Sequence, residues 1–268
     1  MTLLGAGVIL TETAYAKINL ALHVRRRRDD GYHELETVFA FCEHGDVVTA
    51  AAADTLSLTI DGLFADGLSS TDNLIVRAAE AMGVTARLHL TKNLPVASGI
   101  GGGSADAAAT LRVLARLTKR ALPPLDVQLA LGADVPACVV SNTMRGEGVG
   151  EALSRVGPVT GTPVLLVNPR LPLSTAAVFR VWDRIDHGPL GDWRAGRNDL
   201  AVPACTLVPE IAVLTDWLAG RHDVTLTRMS GSGATCFALF GSVEARQRAA
   251  HEVTLAFPGY WAMESVLR

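Results

Sequence analysis

Lysine is scarce in this chain. Of 24 basic residues only Lys17, Lys92 and Lys119 are lysines, and the other 21 are arginines. Against 27 acidic residues the formal net charge is −3, which gives no support for a general nucleic-acid binder. Charged residues make up only 19% of the chain and hydrophobic residues 49%, which excludes a disordered chain. No apolar stretch runs unbroken for the ~20 residues of a membrane helix, because Gly, Pro, Asp or Thr interrupts each one. There are four cysteines, Cys42, Cys138, Cys205 and Cys236, and no CxxC pair. That excludes a disulfide framework in a chain of this size and favours reduced, mostly buried thiols in a cytoplasmic protein.

At the N-terminus, Leu3 to Leu10 is apolar and Ala14-Tyr15-Ala16 resembles a small-residue cleavage site. No Lys or Arg precedes the run, and Thr11-Glu12-Thr13 interrupts it. A first strand, rather than a secretory signal, is the reading that fits. At roughly 150 residues per domain, 268 residues allow one large domain or two modest ones. Punctuation at Gly157-Pro158 and Gly161-Thr162-Pro163 suggests a boundary there, with residues 1–158 and 159–268 on either side.

Ile18, Leu20 and Leu22 alternate with Asn19, Ala21 and His23, the period of a half-buried strand, and Leu56, Leu58 and Ile60 do the same. Asp72-Asn73 opens a helix through Met82, and Ser104 to Leu117 reads as another. Further helices are expected over Ala176–Ile185, Glu210–Ala219 and Val243–Ala256. Strands are expected at Leu88–Leu90, Val164–Val167, Val224–Thr227, Cys236–Phe240 and Tyr260–Val266. The segregation of strands and helices points to an α+β fold rather than a doubly wound one.

The strongest local signal is Pro95-Val96-Ala97-Ser98-Gly99-Ile100-Gly101-Gly102-Gly103-Ser104-Ala105-Asp106. Four glycines in front of a helix expose backbone N–H groups, and the helix start adds a partial positive charge, so the segment suits a phosphate. Ser104 is placed to cap the helix and to offer its hydroxyl to a phosphate or to Mg²⁺. The P-loop spacing GxxxxGK[ST] fails for want of the lysine, and GxGxxG meets Ser104 or Asp106 where its last glycine belongs. A flexible turn without ligand is the alternative.

Other segments have paired readings. Lys17, among small and apolar residues, is either a strand-edge cation facing water or a buried point charge that can steady a phosphate. Asp134, in Leu131-Gly132-Ala133-Asp134-Val135-Pro136, is either a helix cap or a carboxylate able to take a proton from an alcohol. Met229-Ser230-Gly231-Ser232-Gly233-Ala234-Thr235 is either a hairpin turn or a second phosphate-side loop. Arg25 to Arg28 reads as a solvated loop, or as an attractor of a phosphorylated substrate.

Taken in order, Ala16-Lys17-Ile18-Asn19-Leu20, the glycine loop, Leu131 to Pro136 and the Ser-Gly-Ser-Gly loop resemble the GHMP kinase family of small-molecule, ATP-dependent kinases. Asp30-Gly31-Tyr32-His33-Glu34-Leu35-Glu36-Thr37 is the most specific part. It is similar to the branch acting on a cytidine-diphosphate methylerythritol in the non-mevalonate isoprenoid pathway. The resemblance implies two domains, the first like ribosomal protein S5 and the second ferredoxin-like, with ATP and substrate in a cleft. It implies transfer of the ATP γ-phosphoryl group to the tertiary 2-hydroxyl of the methylerythritol unit. Carried onto this sequence, Asp134 is the base and Lys17 its electrostatic partner. Asn19, Tyr32, His33, Thr175 and Phe179 fall to the substrate. Asn73 and Pro95 to Asp106 fall to ATP, with Ser104 toward Mg²⁺ and Gly231 to Thr235 on the phosphate side. The family's usual loop reads Gly-Leu-Gly-Gly-Gly-Ser-Ser; here Ala105 replaces the second serine, and Ser98 stands where Ala or Gly is common. Neither change removes a backbone donor. A homoserine- or mevalonate-type kinase would have no use for Tyr32-His33, and a non-catalytic relative would need neither Lys17 nor Asp134. A nucleic-acid module using the arginine run would show steep salt dependence.

Overall fold

The computed structural model describes residues 8–157 and 159–268. Pro158 and the start of the apolar run at residues 3–7 lie outside the described residues. The described residues form two compact units, interleaved along the sequence: residues 8–16, 44–96 and 102–140, and residues 17–43, 97–101, 141–157 and 159–268. The long strands β1 (Ile9–Arg27) and β2 (His33–Ala52) each give residues to both.

In the first unit, β2 runs antiparallel to β4 (Ala86–Thr91), with Val47 opposite Thr91. The short strand β3 (Ser57–Asp61) lies parallel to β4. Helix α1 (Leu74–Ala81) starts where Asn73, extended, accepts the Ile75 N–H on its side chain. That satisfies one of the helix's orphan donors. Helix α2 (Gly102–Thr118) is small-residue rich, and its Ala107 and Leu111 pack with Ala78 of α1 and Val135 of α4 (Val135–Val140). Helix α3 (Leu125–Leu131) stops at Gly132 and leads into α4.

In the second unit, β2 pairs with β5 (Met144–Gly148), which folds back on β6 (Ala152–Arg155). A four-stranded antiparallel sheet follows in the order β10 (Trp261–Val266), β7 (Pro163–Asn168), β9 (Cys236–Phe240), β8 (Val224–Met229). Strand β7 is buried along its whole length: Pro163 to Val167 are apolar, and buried Asn168 donates to Thr235 Oγ1. Helices α5 (Thr175–Arg180), α6 (Ala201–Leu207), α7 (Glu210–Ala219) and α8 (Val243–Ala256) belong to the same unit. Val178, Ala204, Ile211, Leu214, Ala249 and Val253 join Leu165, Val167 and Phe240 in its core.

Three expectations are corrected. The segment around Ile18 is not half-buried, since Asn19, Ala21 and His23 are buried as well. Both faces of this stretch of β1 are covered. The helix expected to reach Ile185 ends at Arg180; Asp183 Oδ1 accepts the Ile185 N–H and Arg184 is at φ 65°, an Asx turn that cannot continue a helix. The arginine run is not a loop: Arg25 to Arg27 end β1, and three of the four arginines are ion-paired. The short helices α3, α4 and α6 and the hairpin β5–β6 give too little periodicity to read from sequence. All four cysteines are free thiols, and burial pushes Cys42 and Cys236 up to about 12.

Candidate active site

In the second unit β1 places Lys17 and Asn19 two residues apart, on one face of the strand. Lys17 is only 4% exposed, so the reading as a cation facing water does not hold. Its Nζ donates to Asn19 Oδ1 at 3.0 Å and lies 5.2 Å from the centre of the Phe39 ring. Asn19 Nδ2 donates to Thr37 Oγ1 at 2.8 Å, and its backbone N–H donates to Ser230 Oγ at 3.2 Å. The amide is thereby fixed, oxygen toward the ammonium.

Two loops lie against this strand. The Lys17 N–H donates to the Ile100 carbonyl, and a Cβ on Gly101 would come within 2.9 Å of Lys17 Cε. Gly99 is at φ +78° and the Ser230 carbonyl oxygen fills the place its Cβ would take, so a side chain there is excluded. Ser230 Oγ donates to the Gly99 carbonyl, and the Thr235 N–H donates to the Ser98 carbonyl. Met229 to Thr235 joins the antiparallel strands β8 and β9 and so is a hairpin turn, but a buried one, packed on Ala97 to Gly101. Ser232 Oγ meets Thr175 Oγ1 at 2.8 Å.

On the same unit the β1–β2 hairpin carries an aromatic group. His33 stacks on Phe179, with ring centres 4.1 Å and planes 18° apart, and Trp182 meets His33 edge-on at 5.6 Å. Burial, with the positive charge of Arg27, lowers the His33 pKa from its usual value, so the ring is neutral at pH 7 with one donor and one acceptor. Tyr32, beside it, is 62% exposed. A nucleobase needs a flat apolar face and edge hydrogen bonds, and this group offers both.

The first unit holds the other predicted residues. Helix α2 begins at Gly102, so Ser104 is not its cap but a residue of its first turn. The glycines leave that turn's N–H groups clear. Beneath it lies a cluster that the sequence reading missed. Lys92 Nζ ion-pairs with Asp46 and, at 2.7 Å, with Asp106, all three being buried. Asp46 Oδ1 also accepts the N–H groups of Asn93 and Leu94. Burial works against the Lys92 charge, but the two carboxylates outweigh it and raise its pKa. Burial pushes Asp106 up to about 7. The scarcity of lysine was the one sequence signal for this cluster. Asp134 lies just before α4, half-buried, with its carbonyl accepting the Cys138 N–H. Asn73 is engaged as the α1 cap, and its Nδ2 donates to the Ser69 carbonyl.

A family model described as GHMP kinases N terminal domain matches residues 73–142, and one described as GHMP kinases C terminal matches residues 183–259. The chain belongs to the GHMP kinase family. Among curated GHMP kinases, a 4-diphosphocytidyl-2-C-methyl-D-erythritol kinase of Rhizorhabdus wittichii is 52% identical over 96% of this chain and 94% of its own. A protein of the same name from Sphingopyxis alaskensis is 48% identical over 97% and 99%. A crystal structure of 4-(cytidine 5'-diphospho)-2C-methyl-D-erythritol kinase superposes with a TM-score of 0.79 at 32% identity, covering 96% of this chain and 99% of that one. A homoserine kinase from Cytophaga hutchinsonii, at 14% identity and a TM-score of 0.65, shares the GHMP kinase fold. No helix among the described residues is long and apolar enough to cross a membrane.

Proposed function

We propose that this GHMP kinase transfers the γ-phosphoryl group of ATP to the 2-hydroxyl of 4-(cytidine 5'-diphospho)-2-C-methyl-D-erythritol, a step of non-mevalonate isoprenoid synthesis. The observation that carries the choice of acceptor is the His33–Phe179 stack beside exposed Tyr32. A base-binding group of this kind serves a nucleotide-linked alcohol and has no role for a bare one. The near-half identity to relatives of that name, over nearly their whole length, supports the same acceptor.

Phosphoryl transfer asks chiefly for positioning and charge neutralisation. The segment Pro95 to Asp106, together with Asn73, is the proposed ATP site; the segment's glycine N–H groups and the start of α2 suit the triphosphate. Tyr32, His33 and Phe179 form the proposed cytosine site, with flat ring faces for stacking and, at neutral His33, one donor and one acceptor for the base. Thr175 and Asn19 orient the acceptor. The acceptor oxygen forms the new P–O bond, the bond from the γ-phosphorus to ADP breaks, and the hydroxyl proton passes to Asp134. Lys17, held toward Asn19 by its hydrogen bond, supplies fixed positive charge for the developing negative oxygens.

Mg²⁺ fits this chemistry. Ser104 offers a hard oxygen in the first turn of α2, and Asp106 Oδ1, buried in the same turn, has no hydrogen-bond partner among the described residues. Those residues contain no cluster of three His, Cys, Asp or Glu able to hold a metal unaided. Mg²⁺ takes few protein ligands and several from phosphate and water. Bound there with Ser104 as ligand, it would neutralise phosphate charge.

The domain division at 158/159 is proposed with the function; the two family models fall on either side of it. ATP as donor supports a cytoplasmic setting. The test is ADP release from Mg·ATP by the purified chain. The cytidylylated alcohol is compared with homoserine and mevalonate. Turnover with the cytidylylated alcohol alone is expected, and turnover with a bare alcohol instead would sink the acceptor assignment.

A further inference from the structure

Four arginines follow one another at the end of β1, and the structure distinguishes one of them. Arg28 donates its N–H to the Tyr32 carbonyl and closes the hairpin. In an antiparallel pair the next residues inward, Arg27 and His33, then stand opposite each other, followed by Arg26 and Glu34. The Arg26–Glu34 ion pair fits this register. Residues directly opposite project from the same face of the sheet. Arg27 therefore shares a face with His33, the ring that stacks on Phe179.

The neighbours of Arg27 are already neutralised. Arg25 pairs with Glu36 and Asp186, Arg26 with Glu34, and Arg28 with Asp30. Arg27 is exposed, and its side chain has no ion pair or hydrogen bond among the described residues. Its charge is nevertheless felt at His33, whose pKa it helps to lower. An unpaired guanidinium thus flanks a flat aromatic site on the surface of one hairpin. A planar guanidinium fork matches phosphate oxygens in a bidentate manner.

We infer that Arg27 receives the diphosphate of the nucleotide-linked acceptor and so makes the site prefer a nucleoside diphosphate to a nucleoside. This rests on the reading of Tyr32, His33 and Phe179 as the cytosine site. A base held there leaves its 5'-phosphates about one ribose away, within the span of an arginine side chain. The other three arginines, tied to carboxylates, set the hairpin's shape and leave the fourth to the ligand.

The experiment is calorimetric binding of CDP and of cytidine to the full chain, as wild type, Arg27→Ala and Arg27→Lys, alongside steady-state kinetics with the cytidylylated alcohol. Wild type is expected to bind CDP about tenfold more tightly than cytidine, the size of one charge-assisted hydrogen bond. Arg27→Ala should bring the two ligands close to equal affinity while leaving cytidine binding unchanged, and Arg27→Lys should restore part of the preference. A purely structural effect would weaken both ligands together. A CDP preference that is absent in wild type, or the same in Arg27→Ala as in wild type, overturns the inference. Turnover with an unchanged preference would sink Arg27 and keep the reaction. An Arg27-dependent CDP preference without turnover would keep Arg27 and sink the reaction.

Discussion

The His33 ring lies flat against that of Phe179, at 4.1 Å between centres, although one ends a β-hairpin and the other sits in a short helix far along the chain. Trp182 closes the edge of the stack. If this is where cytosine binds, Phe179→Ala removes one flat face and should raise the KM for the cytidylylated acceptor by about tenfold, given stacking worth 1–3 kcal/mol per base. The KM for ATP should stay within about twofold. Initial rates at varied concentration of each substrate measure both, and an equal rise in both constants would contradict the assignment.

Asp134→Asn keeps the shape of the carboxylate and removes its basicity. Turnover should fall below about one hundredth of wild type, the lower range for loss of a general base. ATP binding, followed by calorimetry, should persist. Near-normal turnover would mean that another group takes the proton.

Lys17 and Gly101 are tied sterically. The methyl of Gly101→Ala would stand 2.9 Å from Lys17 Cε at a backbone φ of +65°. The left-handed backbone costs an L-residue roughly 1–2 kcal/mol, and the Lys17 side chain must also give way, which disturbs its hydrogen bond to Asn19. Lower kcat with a folded chain is expected, and Lys17→Ala should likewise lose kcat more than ATP affinity. A pure rise in the KM for ATP would place Lys17 at the nucleotide instead.

The Lys92 cluster governs the stability of the start of α2. Lys92→Met leaves Asp46 and Asp106 buried without their cation and should cost about 3–5 kcal/mol, read from denaturant midpoints. A loss under about 1 kcal/mol would show that the cluster is relaxed by solvent.

The same cluster makes a pH prediction. Burial raises Asp106 to about 7 in the folded chain, above its ordinary value of 3.8. The folded state therefore holds a proton that the unfolded chain releases above about pH 4. This contribution is complete below that pH and is lost as pH rises through 7. Asp106→Asn cannot titrate, so its unfolding free energy should fall less than that of wild type between pH 5 and 7.5. Parallel pH profiles for the two proteins would rule out the shift.

The sequence by itself determined a good deal. The glycine run before α2, the capping Asn73 and helices α7 and α8 follow from local chemistry: backbone freedom, an acceptor for orphan N–H groups, and a repeat near 3.6. The residue order Lys17, Tyr32-His33, Gly99 to Ser104, Asp134 and Ser230 to Gly233 sufficed to suggest a GHMP kinase. What only the tertiary structure decided was which polar groups are buried and what they face. Lys17 reads first as a surface cation until β1 is covered on both faces. Ser230 is a turn residue, as its sequence suggests, but only the fold brings its hydroxyl to Gly99 and Asn19. Lys92, Asp46 and Asp106 are scattered charges until the fold removes them from water together, and Arg27 is one of four until Asp30, Glu34, Glu36 and Asp186 pair the other three. Burial and most of the ion pairing depend on which segments the fold brings together, and local spacing does not encode that.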